Sequence, residues 1–327
     1  MTSARKRVER SPRSGRLSPA ARDLVSRAQR HERLQHFHAA AALYHRAVRR
    51  SWNSPGPQIG LARCLLQLHA WNQVAESILA AVRCGAPRFR TLFDWANLFL
   101  AEGRHQEALR LYREAGRYRA ISSDPRQTAR LHYNTGYTLA RLGKHFAAAR
   151  AYQRCLELIP TNVDAWFNLG AVYGDAGAHR LAFEAYSRVV KLAPGDPEGW
   201  NNLGNACAEL SDREGAIDAY QRALAVKPSY HPAWNNLGNI LQDLDRHDEA
   251  IRCYDRALML QGEAEIITLF NRALSLISSG RTREGLRDMH RWALIPPLPD
   301  NGAGSARGPD WEGLLRSLSA SHRRTSV

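Results

Sequence analysis

Small and apolar residues recur in the middle of this chain with two nested periods. Over short stretches they sit three and four apart, as Leu169 and Tyr173 do, which is the spacing of a helix with one buried face. Over longer stretches the segments DAWFNLGAVYGDAG, EGWNNLGNACAEL and PAWNNLGNILQDL return Trp166, Trp200 and Trp234 at intervals of 34 residues. This double period predicts pairs of antiparallel helices. Gly170 on the first helix and Ala182 on the second are expected to be small so that the backbones approach, with Leu169, Tyr173 and Tyr186 around the contact. Pro194 and Pro228 lack an N–H and disfavour helix at the residue before them, so they end the second helices. Asp196 followed by Pro197 reads as an N-cap and first helical position that restarts the pattern. One helical hairpin cannot bury both of its faces, so several must stack.

The copies agree residue by residue. Trp166, Leu169, Gly170, Tyr173, Ala182, Tyr186 and Pro194 are matched by Trp200, Leu203, Gly204, Cys207, Ala216, Tyr220 and Pro228. A third copy has Trp234, Leu237, Gly238, Leu241, Ala250 and Tyr254, with Gly262 in place of the proline. This pattern resembles the tetratricopeptide repeat. Weaker copies flank it: one keeps Gly136, Ala148, Tyr152 and Pro160, with His132 at the tryptophan position, and one keeps Ala96, Gly103, Ala108 and Tyr112. About six extra residues separate those two. More degenerate copies carry Ala75 and Leu79, Ala28 and Tyr44, and Ala273 and Gly285. The expected fold is all-α, a right-handed superhelical solenoid of about eight helix–turn–helix repeats over residues 21–297, best defined over 129–262. Residues 1–20 are expected to form a disordered basic tail, and 298–327 a flexible C-terminal tail.

Charge is unevenly placed. The net +15 is concentrated at the start, since residues 1–50 hold 13 Lys+Arg against 3 Asp+Glu, a net +10. Residues 131–264 hold 13 against 16, a net −3, so the most regular part of the chain is mildly acidic. A basic arm of this kind suits nucleic acid, an anionic surface or an acidic protein face. The N-terminus has no apolar run of the kind a secretory signal needs, and no stretch is long and apolar enough for a transmembrane helix. The five cysteines are odd in number and widely spaced, which fits small apolar fillers in a reducing, cytoplasmic setting.

Two residues after each tryptophan position an asparagine recurs: Asn134, Asn168, Asn202, Asn236 and Asn271. A second asparagine follows three residues later in some copies, at Asn97, Asn205 and Asn239. The first helices of stacked repeats line the concave face, and an amide there matches a peptide backbone with both a donor and an acceptor. The row resembles the asparagine-lined superhelix of O-linked N-acetylglucosamine transferases, whose repeats hold substrate protein by its backbone. Asparagine at this position also has a purely structural reading, as a bond to the neighbouring repeat. The two-carboxylate clamp known in such repeats needs a lysine just before the ladder asparagine. Tyr133, Phe167, Asn201, Asn235 and Phe270 stand there instead, which favours a neutral peptide.

No phosphate loop, nucleophile elbow or zinc-protease motif occurs, so neither a catalytic residue, a metal site nor a cofactor is expected. The expected function is a protein–protein interaction scaffold with a protein or peptide partner. Near the C-terminus, Trp292, Pro296, Pro297, Trp311 and Gly313 resemble the junction where bacterial repeat chains continue into a glycosyltransferase domain. That resemblance implies an alternative, the substrate-recognition half or an inactive remnant of such an enzyme. A basic-armed RNA or membrane-surface binder is the other alternative.

Overall fold

A computed structural model describes residues 17–118, 124–261 and 266–294. The expected tails, the junction residues Pro296, Pro297, Trp311 and Gly313, and Gly262 lie outside the described residues. Within them the chain is a series of sixteen helices: α1 (Pro19–Arg33), α2 (Phe37–Arg50), α3 (Pro55–Gln67), α4 (Trp71–Arg83), α5 (Arg88–Ala101), α6 (His105–Arg117), α7 (Pro125–Arg141), α8 (His145–Leu158), α9 (Val163–Asp175), α10 (His179–Leu192), α11 (Pro197–Glu209), α12 (Arg213–Val226), α13 (His231–Asp243), α14 (His247–Gln261), α15 (Ile266–Ser278) and α16 (Thr282–Leu294). They pair in order, each odd helix against the even one that follows, and each pair stacks on the next. The result is a helical repeat solenoid of eight pairs.

Turn geometry sets the period directly. Each pair turns at one residue in the left-handed region: Gln35, His69, Gly103, Gly143, Gly177, Ser211, Asp245 and Gly280. Successive turns are 34 residues apart, stretched to 40 between Gly103 and Gly143 and to 35 between Asp245 and Gly280. The next residue's N–H reaches back to the preceding helix, as Lys144 does to the Leu139 carbonyl at 2.9 Å, closing a Schellman turn. A side chain in this conformation is strained, so Ser211→Gly is expected to stabilise the array by about 0.5–1 kcal/mol, net of glycine's larger unfolded-state entropy. Urea denaturation of the single variant checks this.

Caps and stops fall where the sequence placed them. Asp196 accepts from the Glu198 N–H at 3.0 Å; Asn162, which the sequence reading did not single out, caps α9 by accepting from the Ala165 N–H at 2.9 Å. Helix α10 ends at Leu192 and α12 at Val226, two residues before Pro194 and Pro228. These prolines have a second job. The indole N–H groups of Trp166, Trp200 and Trp234 donate to the carbonyls of Pro160, Pro194 and Pro228, each at 2.9 Å. Every well-formed repeat is thereby tied to the stop of the one before it.

The glycines face a different neighbour from the one the sequence suggested. A Cβ on Gly170 would lie 2.8 Å from the ring of Tyr186, and one on Gly204 2.5 Å from the ring of Tyr220. Gly136 and Gly238 face Tyr152 and Tyr254 in the same way. The small residue therefore makes room for a tyrosine ring of the partner helix. Backbone approach is limiting at the last pair, where a Cβ on Gly285 would lie 2.7 Å from the Ala273 carbonyl oxygen. The tyrosines at the centre of this packing, Tyr44, Tyr112, Tyr152, Tyr220 and Tyr254, are among the largest fully buried side chains.

Candidate peptide-binding face

First helices of neighbouring pairs approach one another along most of the array: α1 with α3, α5 with α7, α7 with α9, α11 with α13, and α13 with α15. Second helices are splayed apart, α4 and α6 being the pair that comes comparably close. Curvature follows, with the first helices inside. Two helical positions correspond to a rotation of about 200°, so the ladder asparagines point away from the tryptophans. The indoles are on the outer side and the amides on the concave side.

Asn134, Asn168, Asn202, Asn205, Asn236, Asn239 and Asn271 are all half-buried on this face. The structure joins most of them in a unit that occurs three times. In one, the Asn205 Oδ1 accepts from the Tyr220 hydroxyl at 2.8 Å and from the Asn236 Nδ2 of the next repeat at 3.0 Å. In the next, the Asn239 Oδ1 accepts from Tyr254 and from Asn271, both at 2.9 Å. Upstream, the Asn97 Oδ1 accepts from Tyr112 at 2.6 Å and from Asn134 at 2.7 Å. A buried tyrosine, a second asparagine and the following ladder asparagine thus clamp one repeat to the next. Burial first, with a hydrogen bond donated by Asn134 opposing it, holds the Tyr112 hydroxyl well above the ordinary tyrosine pKa; burial does the same for Tyr220 and Tyr254.

Where the preceding repeat lacks a second asparagine, the ladder residue takes other partners. Asn168 follows a repeat with Tyr137 at that position and donates to the Tyr133 hydroxyl at 3.1 Å and the Asp164 carbonyl at 2.8 Å. Asn202 follows a repeat with Ala171 there and, among the described residues, makes only long contacts of 3.5 Å, to its neighbours Asn201 and Asn205. The clamp uses one end of each amide. Among the described residues, no protein donor meets the Oδ1 of Asn134, Asn168, Asn236 or Asn271, and no protein acceptor meets the Nδ2 of Asn97 or Asn239. Acceptors and donors therefore remain along the row.

Sequence reasoning missed Asn201, which is buried and accepts a second bond from Asn236 at 3.0 Å. It also missed the tyrosine partners, although a constant spacing of 15 residues (97 to 112, 205 to 220, 239 to 254) carries that signal. Hollows also lie on the outer side, among them one of about 720 Å³ over Trp166 and Trp200 and one of about 690 Å³ between α2, α3 and α4. One of about 470 Å³ opens between α12 and α14 over Trp234, and one of about 460 Å³ between α8 and α10 over Trp166. The hollow between α8 and α10 shares Trp166 and Glu184 with the next one along, which reaches Trp200. Four of the five cysteines, Cys64, Cys155, Cys207 and Cys253, are buried, and burial pushes their thiols up to about 11, so they stay protonated at neutral pH.

Stacked hairpins of this kind define a helical-repeat scaffold. Family models described as tetratricopeptide repeats match residues 136–177, 163–196, 197–230 and 231–263, and this stretch of the chain is built from those repeats. A curated relative, a CTR9 homolog from Arabidopsis thaliana, is 26% identical over 139 residues, which is 42% of this chain and 12% of that protein. Among solved structures, residues 41 to the end of MamA from Desulfovibrio magneticus RS-1 are 26% identical, with a TM-score of 0.49 over 54% of this chain and 96% of that one. YrrB, described as a protein with an unusual peptide-binding site, is 20% identical, with a TM-score of 0.45 over 58% of this chain and 95% of that one. The family models describe tetratricopeptide repeats in general and not those of the O-linked N-acetylglucosamine transferases, and none supports binding of nucleic acid or an anionic surface. No described helix is long and apolar enough to cross a membrane.

Proposed function

We propose that this protein-interaction scaffold holds an extended segment of a partner protein along the asparagine row of its concave face. The observation that carries the reading is the set of unused amide ends on one face: among the described residues the carbonyls of Asn134, Asn168, Asn236 and Asn271 and the N–H groups of Asn97 and Asn239 have no protein partner, and an extended backbone offers both donors and acceptors to such a set. The clamp supports it further, because bonds between repeats fix the amides of Asn97, Asn134, Asn205, Asn236, Asn239 and Asn271 before a ligand arrives and so reduce the ordering cost of binding.

Asn202 separates the binding duty from the structural one. It bonds no neighbouring repeat, so Asn202→Ala is expected to leave stability within about 0.5 kcal/mol while weakening partner binding about fivefold, the value of one net hydrogen bond. Asn236→Ala removes two bonds to the preceding repeat and is expected to cost about 1–2 kcal/mol of stability as well. Denaturation and titration calorimetry with a partner segment measure both quantities. Unchanged binding by Asn202→Ala would remove the row from the site.

A further inference from the structure

The concave stripe carries more than amides. On α9, Asp164, Asn168 and Asp175 stand at i, i+4 and i+11, within about 40° of one another around the helix. On α11, Glu198, Asn202 and Glu209 repeat that spacing, and on α13 Asp243 stands seven residues after Asn236. All five carboxylates are exposed, and the three helices contain no lysine or arginine. Most cations of these repeats sit on the second helices, as Arg188, Arg222 and Arg256 do, with Lys227 and Arg246 in the connecting turns. The sign changes upstream, where Arg130 and Arg141 on α7 occupy the places of Asp164 and Asp175.

Little inside the protein answers this charge. Asp175 faces His145 and Glu209 faces His179, each at 3.9 Å, while Asp164, Glu198 and Asp243 have no ion pair among the described residues. Behind the dominant effect of burial, Asp175 and Glu198 act on the Tyr186 hydroxyl, Glu209 on Tyr220 and Asp243 on Tyr254, so the carboxylates border the tyrosine ends at the asparagine row. A second, independent feature lies at the upstream end of the row. Tyr152 occupies the clamp-tyrosine position, is fully buried, and its hydroxyl has no hydrogen-bond partner among the described residues. The residue 15 positions earlier is Tyr137 instead of an asparagine, and the ring of Tyr133, whose hydroxyl accepts from Asn168, packs edge-on against Tyr152 at 5.8 Å.

We infer that the segment taken by α9, α11 and α13 is rich in lysine and arginine and poor in acids. The inference rests on the concave-face reading and adds the partner's chemistry to it. An extended chain along the row presents its backbone to the asparagines and its basic side chains to the carboxylates on either side of them. Complementary charge there selects partners and speeds encounter more than it deepens affinity.

A defined probe is the synthetic peptide MTSARKRVERSPRSGR, which has six basic residues and one acid, beside the same peptide with glutamine at the six basic positions. Fluorescence anisotropy is read with the full chain and with its triple variant Asp164→Asn, Glu198→Gln, Asp243→Asn, whose exposed, near-isosteric changes leave the packing intact. The basic peptide is expected to bind in a salt-sensitive way and to lose about tenfold on the triple variant, a factor of about two for each exposed charge. Equal binding of both peptides would overturn the charge assignment and leave the asparagine row standing. Equal binding of the basic peptide to the wild type and the triple variant would overturn it too, by placing the peptide elsewhere. If neither peptide binds, the inference fails, while the concave-face reading is judged separately by Asn202→Ala. Salt-reversible self-association of the full chain at these concentrations would overturn it as well, by making a second copy the occupant.

Discussion

Gly204→Val is expected to lower the stability of the central repeats by about 3 kcal/mol. A Cβ at this position would lie 2.5 Å from the Tyr220 ring, and that ring is 2% exposed and held through its hydroxyl by Asn205. It cannot swing aside without breaking the clamp to Asn236, so the overpacking falls at the upper end of its usual range. A β-branched residue in a helix adds a smaller cost. Gly174→Ala is the contrast. It is also helical, but a Cβ there meets nothing within 4 Å, so the change is expected to stabilise by about 0.5–1 kcal/mol. Urea denaturation with hydrogen exchange on α11–α14 measures the first; opposite signs for the two glycines are the expected result.

Arg272→Ala is expected to cost about 3–4 kcal/mol, concentrated in the last two pairs. The Arg272 guanidinium bonds Asp288 through two nitrogens at 2.7 and 2.9 Å and Asp255 at 2.7 Å, tying α15 to both α16 and α14. Burial works against the charge on Arg272, but the bonds to the two aspartates outweigh it and hold its pKa above the ordinary value. Asp288 is itself buried, at 6% exposure, so removing the arginine strands a desolvated carboxylate. Replacing both Arg272 and Asp288 by leucine should recover most of the loss, since a buried pair often does no better than apolar groups of similar volume. Because stability in a stacked array is local, the loss should appear as early unfolding of α15 and α16 rather than as one shifted transition. Uniform exchange across the array would contradict this.

The fold was legible in the sequence because its devices repeat. Trp166, Trp200 and Trp234 fix the period, and the proline stops and the Asp196 cap appear where the pattern put them. The eight pairs follow from the weaker copies, and the turn spacing of 40 between Gly103 and Gly143 shows the six-residue insertion. The site was only half legible. The amides of the row were visible, but which end of each is occupied depends on a side chain 15 residues away and on another in the next repeat. Periodicity within one helix does not give either distance. The preceding residues, Tyr133, Phe167, Asn201, Asn235 and Phe270, suggested a neutral ligand, yet these pack or bond within the protein, as Phe167 does against Tyr186 and Asn201 does with Asn236. The exposed charge is set four residues before the ladder and seven after it, at Asp164 and Asp175, and the partner inferred from it above is a basic one.

The central claim, that a partner lies along the concave asparagine row, is tested most directly by photo-crosslinking from the two faces. A benzophenone amino acid at Ala171, three residues after Asn168 on α9, reports on the row, and one at the exposed Gln221 of α12 reports on the outer groove over Trp234. The expected result is partner crosslinked from Ala171 and not from Gln221. Crosslinking from Gln221 with none from Ala171 would contradict the claim and move the site to the outer face.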